Sequence, residues 1–315
     1  MKLGQIVVLW IVTVALSLSW PIGTFAQSKR ETAQTVYFAS SGNLSLDKYF
    51  IDLVVENLGP GFKVKPLPTH SPPSKKNAPI IAIGPKAFER IYRSNPNTVM
   101  IGTFVDRQFM DKYATEQNSR ITAIYYDVPL LRQALTGKVI LPQADKVAIL
   151  ASYVNRNSYG ALIEQLSAYG LEGKVFIVAD KEQLIPSVIR ALSYGDFILG
   201  TPDHDIYHPR NIKHILLTAY RRNKIIIGPS QAFVKAGAIA SSYAPFSAIA
   251  EKTASHLIYY RENEVFPAAA YPDAYGVELN EQVARSLNIP LPERPRISEA
   301  VDQLLEDTLQ GVLDD

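Results

Sequence analysis

Short, uniformly apolar runs recur along the chain, separated by stretches whose apolar residues fall at helical spacing. TVYFAS (35–40) reads as a buried strand, and LSLDKYFIDLVVENLG after it carries a helical stripe of Leu46, Tyr49, Phe50, Leu53, Val54 and Leu58. Gly59-Pro60 ends that helix. FKVKPL, APIIAIG (78–84), TVMIGTF (98–104) and RITAIYY (120–126) read as four further strands, with a short helix in KAFERIYRS. The alternation then restarts. VPLLRQALTGKVI is a helix, KVAILAS (146–152) a strand, and SYGALIEQLSAYG a helix ending on Gly170. KVFIVAD (174–180), DFILGT (196–201) and KIIIGPS (224–230) are strands, separated by helices in KEQLIPSVIRALS and NIKHILLTAYRRN. Strands this apolar are buried on both faces, as in parallel sheets covered by helices. Two sets of about five strands predict an α/β protein of two doubly wound, parallel-sheet lobes. PLPTHSPPSKKNAP (66–79) has five prolines and no helical period, so it reads as a loop where a crossover helix is expected.

The N-terminus follows a different pattern. Lys2 precedes an apolar stretch from Ile6 to Trp20, which Pro21 and Gly23 break before the small-residue site around Ala26. This is the layout of a secretory signal over 1–26, and the stretch falls short of the about 20 residues of a membrane span. The expectation is cleavage near Ala26 and a soluble periplasmic protein, with a retained anchor as the alternative.

Composition narrows the function. Lys plus Arg number 32 and Asp plus Glu 30, a net charge of +2, which offers no basic field for nucleic acid. The chain has no cysteine, which excludes disulfides, thiolate catalysis and Cys-type zinc sites.

In open parallel sheets, ligands bind beyond the carboxyl ends of the strands. The residues there are Ser40 and Ser41 after the first strand, Phe104 and Asp106 after the fourth, and Tyr153 after 146–152. Thr201 and Asp203 follow DFILGT, Ser230 follows KIIIG, and Ser241, Ser242 and Tyr243 close GPSQAFVKAGAIASSYAP. Together these are candidates for a cleft that takes a small polar or aromatic ligand. Ser40 and Ser41 could equally be a helix cap, and Ser241 to Tyr243 a polar turn. Catalytic patterns fail: GPSQA is not G-x-S-x-G, and YGLEGKV lacks the spacing of a phosphate loop. His204 and His208 in DHDIYH are bracketed by Pro202 and Pro209, so they read as loop residues with no metal. The reading is a binding protein without a cofactor, not an enzyme.

From about 120 to 292, ITAIYY, LPQADKVAIL, DFILGTPD, KIIIGPSQAFVKAGAIASSYAP and VELNEQVARSLNIPLP resemble the ABC-transporter substrate-binding protein family that includes tryptophan- and tyrosine-binding members. The resemblance implies a type I periplasmic-binding fold with a ligand cleft between the lobes and hinge closure. The family's ligand loops map onto Ser40 and Ser41, Asp106, Thr201 with Asp203, Ser230, and Ser241 to Tyr243. The chain departs from the family at Asp106-Arg107, where D-P is usual, and at Ser242-Tyr243-Ala244-Pro245. The resemblance implies one lobe of 27–126 plus about 244–266 and a second of 127–243 plus about 267–292; beyond the matching stretch, the apolar stripe over 293–315 reads as an amphipathic helix.

The resulting expectation is an exported monomer that captures a small molecule, such as an aromatic or branched amino acid, for an ABC permease. Ser40 and Ser41 would hold its carboxylate and Asp203 its ammonium, with Tyr243, Phe104 or Tyr153 over its side group. The alternative keeps the fold but makes the chain an orphan periplasmic adaptor of an envelope complex. The C-terminal stripe of Ile297, Val301, Leu304, Leu305 and Leu309 motivates it.

Overall fold

A computed structural model describes residues 33–68, 78–113 and 120–314. The expected signal segment and most of the Pro-rich stretch lie outside the described residues. Among those described, no helix is long and apolar enough to cross a membrane.

The strands form two sheets. The first has the order β2-β1-β3-β4-β5, from β1 (Gln34–Ala39), β2 (Phe62–Pro66), β3 (Ile80–Ile83), β4 (Met100–Val105) and β5 (Ile121–Tyr125), all parallel. The alternation of its apolar strands is resolved into two faces. Ile81 and Ile83 join Phe50 and Val54 of α1 (Leu44–Leu58) and Ile249 and Leu257 of α9 (Phe246–Asn263). Ile80 and Ala82 face Phe88 of α2 (Pro85–Ser94) and Met110 of α3 (Arg107–Met110) instead. β3 and β4 therefore lose their apolar surface on both sides, which is why no polar alternation is visible in their sequences. The edge strand β2 exposes Lys63 and Lys65 and ends on Pro66, features that discourage pairing with another chain.

The second sheet has the order β11-β10-β9-β8-β6-β7. It comprises β6 (Lys146–Ser152), β7 (Glu172–Val178), β8 (Phe197–Leu199), β9 (Ile225–Ile227), β10 (Ala240–Tyr243) and β11 (Gly276–Leu279). Val147, Ile149 and Ala151 pack with α4 (Leu130–Ile140) and α5 (Gly160–Ser167) on one face. Ala148 and Leu150 pack with α6 (Leu184–Tyr194), α7 (Pro209–Tyr220) and Phe233 of α8 (Gln231–Ala236) on the other. One strand breaks the parallel rule: β11 runs antiparallel to β10, with Tyr243 opposite Gly276. A Cβ at Gly276 would come within 2.8 Å of the Tyr243 ring, so the ring lies over a residue with no side chain.

The chain passes between the sheets three times, at 126–129, 244–245 and 267–275. The third passage is tied to the first sheet: Thr122 donates to the Pro267 carbonyl at 2.8 Å, and Ala270 bridges β5. The amphipathic C-terminal segment forms α11 (Arg294–Asp314) after the short α10 (Glu281–Ser286). Ile297 and Val301 are fully buried in the second lobe's core, with Leu304 and Leu305 packed against it. The chain's own lobe thus covers that much of the stripe, which removes one motive for an adaptor.

Candidate functional site

Loops at the carboxyl ends of both sheets meet. Asp106 and Gln108 follow β4, while Asn155 follows β6 and His204 follows β8. Gln108 Nε2 donates to Asn155 Oδ1 at 2.9 Å, and His204 Nε2 lies 3.8 Å from Asp106 Oδ2. Beside this junction is a pocket lined by Tyr126 and Asp127 from the first passage, Thr201 and His204 after β8, and Ser230 after β9. Tyr207 and Phe233, edge to face at 5.7 Å, add aromatic wall.

Two of the expected residues, Thr201 and Ser230, line the pocket, and a third, Asp106, lies at the junction beside it. Thr201 is buried and accepts a hydrogen bond from Tyr159 at 3.1 Å, which leaves its own proton free to donate. Ser230 lies on the pocket and its hydroxyl makes no hydrogen bond to a described residue. Asp106 is buried at the junction, where its Oδ1 caps α3 by accepting from Phe109 N at 2.6 Å and its Oδ2 faces His204.

Phe104 lies near the end of β4, outside the residues that line the pocket. The β4–β5 register shifts between Thr103 and Val105, and Phe104 takes a left-handed φ of 55°. For a residue with a Cβ, that conformation costs on the order of 1–3 kcal/mol. The bulge turns its ring onto Phe50 and Phe246, at 4.7 and 4.9 Å, so Phe104 completes an aromatic cluster on the first lobe. Tyr153 is exposed and stacks under Arg156 at 4.1 Å.

The remaining expectations need correction. Ser40 and Ser41 both donate to the buried carboxylate of Asp47, and each accepts a backbone N–H, from Gly42 and Asn43 respectively. A ligand carboxylate there would meet Asp47 and find the hydroxyls occupied. Asp203 is fully buried rather than open to a cleft. Its Oδ2 accepts from Ser152 N at 2.8 Å and its Oδ1 from Asp205 N at 3.2 Å, so the carboxylate ties the β8 loop to the end of β6. Ser241 and Ser242 are buried against α4, where Gln133 and Thr136 use their polar groups. Tyr243 lies over Gly276 and does not line the pocket. In DHDIYH, His208 caps α7 by accepting from Arg210 N, while His204 points to Asp106, so the two histidines serve different places. Among the described residues no three His, Asp or Glu side chains gather as metal ligands.

Asp127 is the acid that the sequence reading missed. It follows β5 directly, so the strand-end rule applied to RITAIYY points to it. Arg107 N donates to its Oδ1 at 3.3 Å, and Tyr271 from the third passage hydrogen-bonds its carboxylate. Tyr271 is itself hydrogen-bonded to Arg107. Burial, and then the charge of Asp106, push the Asp127 carboxyl up to about 7, against weaker opposition from these hydrogen bonds.

No family model matches the chain, and no curated protein matches its sequence. Solved structures do match. The ligand-free, open structure of a substrate-binding protein with adhesive properties from Clostridium difficile superposes with a TM-score of 0.63 at 14% identity, covering 82% of this chain and 95% of that one. An ABC domain in complex with L-Trp from Streptococcus pneumonia gives 0.54 at 17% identity, over 83% and 96%. A conserved domain protein from Vibrio cholerae O1 biovar eltor gives 0.53 at 16%, also over 83% and 96%. At these identities the likeness is one of fold: two parallel-dominated α/β sheets in the type I periplasmic-binding-protein arrangement.

Proposed function

We propose that the chain is an exported solute-binding protein whose interlobe pocket captures a small, amine-bearing solute for delivery to an ABC importer. The observation that carries this reading is Asp127. A half-buried carboxylate lines the pocket, and the charge that raises its pKa further is a second carboxylate, Asp106. An ammonium group relieves both the desolvation and the repulsion, so it binds there with a charge-assisted hydrogen bond. An amino acid suits the remaining donors. Its carboxylate would accept from Ser230 and Thr201, and an aromatic or branched side chain would lie against Tyr126, Tyr207 and Phe233. The amino-acid expectation is kept, with Asp127 in the role first given to Asp203. Export rests on the pattern of residues 2–26, and the importer on the family resemblance.

A thermal-shift screen of the twenty amino acids, common amines, neutral sugars and dicarboxylates tests the proposal. The expected result is a rise in melting temperature with solutes that carry an ammonium group. Stabilisation by sugars or dicarboxylates alone would refute it.

A further inference from the structure

We propose that the two lobes are held together before any solute arrives, by a latch between Gln108 on α3 and Asn155 in the loop after β6. The pair joins residues 47 apart in sequence, from different sheets, through one side-chain hydrogen bond of 2.9 Å. Each side of the latch is mounted on rigid structure. On the first lobe, Asp106 caps α3, and the rings of Phe109 and Tyr113 pack on Phe88 at 5.6 and 5.0 Å. On the second, Asn155 N donates to Ser152 O at 3.0 Å, and Ser158 N donates to Asn155 O at 3.0 Å. Ser152 N is fixed in turn by the buried Asp203. Opening the cleft therefore asks little of the backbone at this point: the amide of Gln108 has to part from that of Asn155.

The second contact at the mouth, His204 to Asp106 at 3.8 Å, is beyond hydrogen-bond length, so the amide pair is the direct bond between the two sides here. A neutral side-chain pair of this kind shifts an open–closed equilibrium by roughly two- to tenfold. That bias is small enough for the cleft to open thermally and admit a solute. It also raises the fraction of molecules already in the closed arrangement, which lowers the conformational cost of capture.

The chain has no cysteine, so one spin label per lobe can be placed cleanly at the exposed positions Lys86→Cys and Lys181→Cys. Distances measured between them in ligand-free protein test the latch. The expected result is a narrow, short distribution that becomes longer and broader with Gln108→Ala or Asn155→Ala. The double variant should match either single one, and the exchange Gln108→Asn with Asn155→Gln should restore the short distance. An unchanged distribution in Gln108→Ala, with a melting temperature equal to that of the parent, would overturn the latch. The measurement uses no solute, so its failure leaves the solute-binding reading standing, and a failed solute screen leaves the latch standing.

Discussion

The side-chain amide of Gln133 pairs with the backbone of Ser242 on both edges: Nε2 donates to the carbonyl at 2.7 Å, and Oε1 accepts the N–H at 2.8 Å. Gln133 thus does for this end of β10 what a neighbouring strand would do. The need arises because β9 pairs with β10 only at Ile227 and Ala240. Thr136 completes the arrangement by sharing a hydrogen bond of 2.8 Å with the Ser242 hydroxyl. Replacing Gln133 with Ala would leave the buried Ser242 N–H without a partner, at about 1–3 kcal/mol, and would remove one of the two donors to its carbonyl, the other being the Ser241 hydroxyl at 3.0 Å, at about 1 kcal/mol. The expected loss in urea unfolding is about 2–4 kcal/mol with an unchanged m-value. A loss within about 0.5 kcal/mol, the range of an ordinary surface change, would show that water replaces the amide at no cost.

Asp203→Ala should behave as a stability mutation. The carboxylate is buried and holds two backbone N–H groups, so removing it should cost about 2–4 kcal/mol. Melting temperature checks the first half of this expectation. An unaltered melting point together with a weakened solute affinity would return Asp203 to the ligand.

Asp47→Ala makes the same argument on the first lobe. It frees the Ser40 and Ser41 hydroxyls and the Ser41 N–H that now point at the carboxylate. The expected cost is about 2–3 kcal/mol, with Ser40→Ala milder at about 1 kcal/mol. Denaturant titration of the two variants compares them; if Ser40→Ala proved the more damaging, the Asp47 hub would be wrong.

Two groups give the fold opposite pH dependences. Asp127 is pushed up to about 7 in the folded protein, from an ordinary carboxylate value near 4, so the folded state holds a proton that the unfolded chain has lost. Its contribution is fully present below about pH 4 and disappears as pH rises through about 7. His256 is the reverse. It is buried with Nε2 on the Ala268 carbonyl, and burial lowers its pKa, so the unfolded chain takes up the proton more readily. Its contribution is present above the ordinary histidine value of about 6.5 and is lost as pH falls. Between pH 5 and about 7 the two trends oppose each other, so the melting temperature of ligand-free protein should rise more steeply with pH in Asp127→Asn, and less steeply in His256→Gln, than in the parent. Parallel curves for all three proteins would contradict both assignments.

The two lobes were legible because parallel strands buried on both faces read as unbroken apolar runs, as in APIIAIG and KVAILAS. The antiparallel β11 was not, because GVEL is short and its pairing is set by β10 at a distance in sequence. The rule that sites follow strand ends led to the loops that carry Thr201 and Ser230, which line the pocket, and Asp106, which lies at the junction beside it. It could not say which polar side chain in a loop faces the pocket and which faces inward. Asp203 and His204 are neighbours, yet one is fully buried and the other 81% exposed at its side chain. Ser152, which donates to Asp203, and Gln133 and Thr136, which meet Ser241 and Ser242, come from elements 51 to 109 residues away, beyond any local pattern.

In the proposed site an ammonium group sits on Asp127. The most direct measurement is calorimetric titration of the amine-bearing solute that gives the largest thermal shift, against the parent protein and Asp127→Asn, at pH 5.5 and 8. At about 100 times its dissociation constant, that solute should stabilise the parent by about 2.7 kcal/mol, which is a shift of several degrees. Binding should be tighter at pH 8, where the carboxylate is ionised, and roughly tenfold to hundredfold weaker in Asp127→Asn, whose binding no longer follows pH through this group. An equal dissociation constant for the parent and Asp127→Asn at pH 8 would contradict this site.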